Sequence, residues 1–371
     1  MAQSNQIQVS YLITTKENPE KIATEIALEQ TVEMPMHLIS DPYIRERIVG
    51  RILEVHEGVR DQYRITLEYS PEILTGSLGQ LLNLVFGNIS LKKGIKLVDL
   101  TLPSCFLHDF TGPAYGVKGL RSMADVWRRP LTCAALKPLG CSAAELARIC
   151  YELSLGGIDI IKEDHNLGDQ SRCRYQERIS LCRKALLNAQ EKSGRRTLYF
   201  ANINDCPRVT QQQIEYALES GVDGLLLQPM IMGLDFFHSI AENEQYPLLL
   251  MAHPSLSGAF FTAHGEGIAP EILLGTFFRL AGADAVIFPD FSGRFSFDEI
   301  TCKRISQNLL SPLGNLLPSF PIPGGGINLS TLHKVRQNYP EDTIFLVGSS
   351  LYESGQNLQE NVRYFLDALP V

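Results

Sequence analysis

Eight short apolar runs along the last two-thirds of the chain limit its possible folds more than any other feature. They are LTCAALK (131–137), GIDIIK (157–162), TLYFANIN (197–204), DGLLLQP (223–229), LLLMAH (248–253), DAVIFP (284–289), FPIPGGG (320–326) and TIFLVGS (343–349). Runs of about four to eight apolar residues suit strands buried on both faces. Between them lie stretches with apolar spacing of three and four, such as Leu146, Ile149, Cys150 and Leu153, or Leu329, Leu332 and Val335. That spacing places the apolar residues on one face of a helix. Ser142 with Glu145, Thr210 with Gln213, and Ser296 with Glu299 fit the Ser/Thr-x-x-Glu/Gln box that satisfies free N–H groups at a helix start. Eight strand–helix units in about 240 residues predict a closed (β/α)8 barrel rather than an open doubly wound sheet. No G-x-G-x-x-G follows the first strand, which removes the main signal for a dinucleotide fold.

The preceding ~118 residues read differently. QIQVSYLITT and YRITLEYSP predict strands, and ENPEKIATEIALEQ and SLGQLLNLVFGN predict helices. The expectation is a smaller α+β domain of ferredoxin-like type over 1–118, followed by the barrel over 119–371, with the junction in the Gly/Pro-containing stretch 110–130.

At 371 residues the chain can hold two domains. A net charge of -8 argues against a nucleic-acid partner, which is bound through Lys and Arg, but not against a small phosphorylated ligand. The eight cysteines form no C-x-x-C pair, no basic segment followed by an apolar run opens the sequence, and no apolar run reaches ~18 residues. Reduced thiols, a cytoplasmic location and no membrane partner are expected.

Barrels of this kind gather their chemistry at the C-terminal ends of the strands. That rule selects Lys137 after the first strand, Lys162 to His165 after the second, Asn202 and Asn204 after the third, and His253 after the fifth. It adds Asp290 to Arg294 after the sixth, Gly324, Gly325 and Gly326 after the seventh, and Gly348, Ser349 and Ser350 after the eighth. Asp164 or Glu163 could offer oxygen to Mg2+, and His165 would shift the preference toward Mn2+ or Zn2+; the alternative is a solvated charged loop. Lys137 could be desolvated into the proton-transfer range or could reach out to water. Gly324 to Asn328, followed by Leu329, reads as a strand, a glycine loop and a helix start, a backbone cradle for phosphate.

Through these residues the chain resembles the RuBisCO superfamily, and in particular its non-carboxylating RuBisCO-like proteins. The resemblance is carried by RPLTCAALKPLGCSAAELARICYELSLGGIDIIKEDHNLGDQ, GPAYGV (112–117), AHPSLSGAF (252–260), RLAGADAVIFPDFSGRF (279–295), PGGGINLSTL (323–332) and DTIFLVGSSLY (342–352). It runs through nearly the whole chain in order. It implies a homodimer with active sites at the interface, Lys162 as a metal ligand in amine or carbamate form, Asp164 as a carboxylate ligand, and Lys137 as the group that moves protons at the enolising carbon. His253 is kept.

Departures from the family pattern point away from carbon dioxide fixation. His165 stands where the family has a glutamate. The second lysine of a K-P-K motif is missing after Pro138. Pro254 replaces an arginine that binds a phosphate, and Arg294 replaces the mobile-loop lysine. The reaction implied is enolisation of a phosphorylated ketose or 3-oxo sugar-acid phosphate, by an isomerase or a decarboxylase, with one phosphate held by Arg294 and the glycine loops. The methionine-salvage enolase of 2,3-diketo-5-methylthiopentyl-1-phosphate is the alternative; the short chain and His165 lean away from it. A sugar-phosphate-binding protein without catalysis is the alternative of another class.

Overall fold

The computed structural model describes residues 5–295, 297–353 and 357–369. Strands β1 (Ile7–Thr14), β2 (Arg51–Glu57), β3 (Gln62–Tyr69) and β4 (Ile95–Thr101) form the small sheet in the order β4-β1-β3-β2, all antiparallel. Helices Pro19–Glu29 and Leu78–Phe86 alternate with these strands in the ferredoxin-like order. Strand β1 is central because its alternate residues Ile7, Val9, Tyr11 and Ile13 are all buried.

The barrel closes through β5 (Leu131–Leu136), β6 (Ile160–Glu163), β7 (Leu198–Asn202), β8 (Gly224–Leu227) and β9 (Leu249–Ala252), then β11 (Ala285–Pro289), β12 (Phe320–Gly324) and β13 (Ile344–Val347). All eight are the apolar runs of the sequence, and each pairs in parallel with its neighbours. Inside, Leu131, Cys133, Ile160, Phe200, Met251 and Ile322 belong to one packed core. The Phe200 ring fits because Gly224 carries no side chain; a Cβ there would lie 2.4 Å from it. Helix Gly116–Ala124 plugs the bottom with Val117, Leu120 and Ala124.

The short strand β10 (Gly267–Ile268) leaves the barrel and pairs in parallel with β4, adding a fifth strand to the small sheet. Gly267 turns at φ +93°, and a Cβ there would sit 1.9 Å from the Phe260 carbonyl oxygen, so only glycine fits. No helix among the described residues is long and apolar enough to cross a membrane.

One of the expected helix starts differs, and one involves a residue outside the described range. The Ser142–Glu145 box forms with both hydrogen bonds. Thr210 instead lies inside helix Pro207–Glu219, whose N-cap is Cys206 and whose first turn opens on proline. Pro207 sets φ for a helix start without needing an N–H partner, so it overrides the weaker box. The helix after β11 is capped by Asp298, which accepts from the Thr301 N–H at 2.7 Å. Ser296 lies outside the described residues.

A repeated device holds the barrel bottom. Gly157-Ile158-Asp159, Gly221-Val222-Asp223 and Gly282-Ala283-Asp284 each end a helix-to-strand turn on a left-handed glycine. Each aspartate accepts the N–H of the second residue of the preceding strand: Thr132 at 2.8 Å, Tyr199 at 2.9 Å and Leu250 at 2.9 Å. Asp284 also takes the Tyr115 and Gly116 N–H groups at 2.8 Å each, which fixes the plug.

Burial raises the Asp284 carboxyl to about 6 from 3.8, against the lowering effect of its three N–H donors. An aspartate raised in the folded state contributes stability at low pH that is lost as pH climbs from about 4 to 6. Asp284→Asn therefore removes a downward stability slope across that window, seen in urea midpoints taken at successive pH values. Asp284→Ala leaves three buried N–H groups without their acceptor and lowers stability on the order of 3 kcal/mol at neutral pH.

Candidate active site

The strand end that matters most is β6, where period-two alternation sorts neighbouring side chains to opposite faces. Lys162 and Asp164 face the barrel mouth and line a cavity of about 670 Å³. Glu163 faces outward and is fully buried between barrel and helices. Its carboxylate accepts from Arg178 Nε at 2.5 Å and Nη2 at 3.2 Å, from the Tyr199 hydroxyl at 2.6 Å and from the Asn202 N–H at 2.9 Å. With these bonds made, Glu163 has no oxygen for a cation in the cavity. The expectation that Glu163 could offer oxygen to a cation is corrected.

Lys162 is 3% exposed, and its Nζ donates to the Glu163 carbonyl at 3.2 Å. Burial, above all, pulls its pKa below the usual lysine range; the Lys137 charge adds to this and Asp164 opposes it. Lys137 lies 3.8 Å from Asp164 with 42% of its side chain exposed, so the desolvated lysine here is Lys162. Asp164 Oδ1 accepts the Asn166 N–H at 3.1 Å and sits 3.5 Å from His165 Nδ1.

The His165 ring stacks on His253 with centroids 4.3 Å apart and planes 12° from parallel. Burial lowers both imidazoles, His253 well below its ordinary value, and the charges of Lys162 and Lys137 push the same way. Ser255 Oγ pairs with His253 Nδ1 at 2.8 Å.

On the opposite side, Arg294 lines the cavity and lies over the Phe295 ring at 5.1 Å. Gly324, Gly325 and Gly348 also line it; Gly326 and Ser349 do not. Gly326 backs onto Gly293 so closely that a Cβ on it would fall 2.4 Å from the Gly293 Cα. The expected helix start beside the glycine loop is also corrected: helix Leu332–Asn338 begins later. The Asn328 side chain accepts the Ser330 and Thr331 N–H groups at 2.9 and 3.1 Å, which leaves them unavailable to a phosphate.

Phe261, Phe295 and Phe297 supply an apolar wall, with Phe261 and Phe297 edge-to-face at 5.4 Å. Sequence reasoning missed this wall and Ser255. The loop after β9 was the available signal, since it leaves a strand end that already carries His253.

Among the described residues no group of three or more His, Cys, Asp or Glu side chains is placed to hold a cation. Asp164 and His165 both line the cavity and would offer one carboxylate and one imidazole. A third ligand, and the second anionic one, would require Lys162 to take up carbon dioxide, with its amine nitrogen bonding to carbon and a proton released, and a lysine held toward its neutral form by burial suits that step. The donor set therefore fits a divalent ion on that condition.

The chain matches the model of the ribulose bisphosphate carboxylase large chain, catalytic domain, over residues 116–353. It is 34% identical over 368 residues to the ribulose bisphosphate carboxylase-like protein 1 of Rhodopseudomonas palustris, covering 98% of each chain. It is 35% identical over 366 residues to the 5-methylthioribulose-1-phosphate isomerase of Rhodospirillum rubrum, covering 98% of this chain and 96% of that one. The crystal structure of a Rubisco-like protein from Rhodopseudomonas palustris superposes with a TM-score of 0.89 at 35% identity, over 99% of this chain and 98% of the other.

Glu163, the last residue of β6, and Asp164 just beyond it should separate cleanly on substitution. Glu163→Ala strands the buried Arg178 charge and costs about 3–5 kcal/mol in urea unfolding. Asp164→Asn, at the cavity surface, changes the same measurement by less than about 1 kcal/mol.

Proposed function

Because the chain belongs to the ribulose bisphosphate carboxylase large-chain family as a RuBisCO-like protein, we propose that it isomerises a ketose monophosphate through an enolate and fixes no carbon dioxide. The carrying observation is the two-sided cavity. Lys137, Lys162, Asp164 and His165 stand at the ends of β5 and β6, and Phe261, Phe295 and Phe297 form an apolar wall that runs up to Arg294 and Gly325. Pro254 stands where the family's second-phosphate arginine would be and also lines the cavity. An apolar wall accepts a hydrocarbon or thioether end beside a single phosphate.

Asp164, His165 and Lys162 as a carbamate would hold Mg2+, with Mn2+ or Zn2+ favoured by the imidazole. Bound there, the ion supplies Lewis-acid stabilisation of the negative charge that develops when a neighbouring carbon loses its proton. Lys137, beside Asp164 and open to both cavity and solvent, moves protons at the reacting carbon and the carbon next to it, exchanging them with water. Arg294 and the N–H groups of Gly324, Gly325 and Gly348 hold the single phosphate. His253, stacked on His165, orients the substrate hydroxyl next to the reacting carbon. The reading includes a homodimer whose partner closes the cavity with its small domain.

The test is product NMR in deuterated water with a 1-phosphorylated ketose carrying a thioether, in bicarbonate buffer with Mg2+. Isomerisation places solvent deuterium on carbon while the carbon skeleton stays whole. Release of carbon dioxide from a sugar-acid phosphate would replace this reading with decarboxylation, and tight binding without turnover would replace it with a binding protein. A bisphosphate bound more tightly than its monophosphate would overturn the substrate class. Lys137→Ala lowers kcat on the order of 100- to 10,000-fold with KM little changed.

A further inference from the structure

Two buried amides lie behind the proposed ligands, on strands that the reaction itself does not use. Asn202, at the end of β7, is 1% exposed, and its Nδ2 donates to the His165 carbonyl at 3.2 Å and to the Leu167 carbonyl at 2.6 Å. Its Oδ1 accepts from Gln228 Nε2 at 2.6 Å. Gln228 follows β8, is also 1% exposed, and its Oε1 has no hydrogen-bond partner.

These contacts form a one-way chain. Carbonyl oxygens only accept, so the Asn202 amide must present its nitrogen to the 165–167 loop. Presenting it leaves Oδ1 facing away, where only a donor can satisfy it. Gln228 supplies that donor and so selects the orientation of the Asn202 amide. The loop fastened by Asn202 carries His165, and it starts at Asp164, whose carbonyl accepts the Leu167 N–H at 3.0 Å.

We infer that Gln228 and Asn202 act as a positioning pair that sets the geometry of Asp164 and His165 and thereby the affinity for the divalent ion. This rests on the metal reading given under Proposed function. Outer groups that orient metal ligands are typically worth 10- to 100-fold in affinity. The pair does so across two neighbouring strands and through backbone carbonyls rather than through the ligand side chains.

The orphaned Oε1 makes the idea testable apart from folding. Gln228→Leu strands Asn202 Oδ1 but also removes a buried acceptor that was already unsatisfied, so the two effects on stability oppose each other. Asn202→Asp keeps the volume and the Gln228 bond but turns an oxygen toward two carbonyls. Mn2+ alone, in bicarbonate-saturated buffer, is titrated into each protein and free ion is followed by electron paramagnetic resonance, with thermal unfolding run alongside. Both variants are expected to bind Mn2+ 10- to 100-fold more weakly, with Gln228→Leu melting close to wild type. Wild-type binding with unchanged affinity in a folded variant overturns the pair's role and leaves the metal reading standing. A wild type that binds no Mn2+ overturns both. If Gln228→Leu does not fold, Asn202→Asp decides, and Asn202→Ser, which keeps a smaller polar group, replaces either.

Discussion

The site depends on a buried ion pair that never touches the cavity. Glu163 and Arg178 meet with both side chains fully shielded from water, and Tyr199 and the Asn202 N–H complete the carboxylate's bonds. A carboxylate so engaged on the outer face leaves no freedom in the parity of the strand end. Lys162 and Asp164 must then look inward together, one residue to either side. The chemistry at the mouth is thus set by electrostatics in the layer between barrel and helices.

At the opposite end of the barrel the same economy of means recurs. Strand starts leave N–H groups with no neighbour to accept them, because the strands are staggered. Asp159, Asp223 and Asp284 close those gaps ahead of β6, β8 and β11; ahead of β13 the residue is Thr343, whose hydroxyl has no partner among the described residues, and the second residue of β12 is Pro321, which has no N–H to satisfy. The bottom is thereby tied side chain to backbone where the top must carry loops, which is the division expected of such barrels.

Much of this was legible in the sequence for a definite reason. Parallel strands covered on both faces need unbroken apolar runs, and all eight were found. Strand β2 was not seen because both its faces are largely open to solvent, so RILEVHE carries no burial rhythm. Strand β4, with its alternation of buried Ile95 and Leu97, could have been recognised. The two residues of β10 leave no pattern at all. In the site, the lysine, aspartate and histidine residues stood out by type and place, but Glu163 could be told from Asp164 only by applying the strand period through the tetrapeptide. The Asn202–Gln228 contact joins residues on different strands and becomes visible only once the barrel closes.

The tie between β10 and β4 carries a consequence for how the molecule can be altered. The segment from His253 to Ile268, which bears Phe261, is anchored in the barrel at its start and in the small sheet at its finish. Gly94 reinforces the far anchor by donating its N–H to Glu266 at 3.0 Å. The small domain is therefore a tensioning post for one wall of the cavity. Grafting a foreign ferredoxin-like unit onto this barrel would slacken that wall even if both halves folded faithfully.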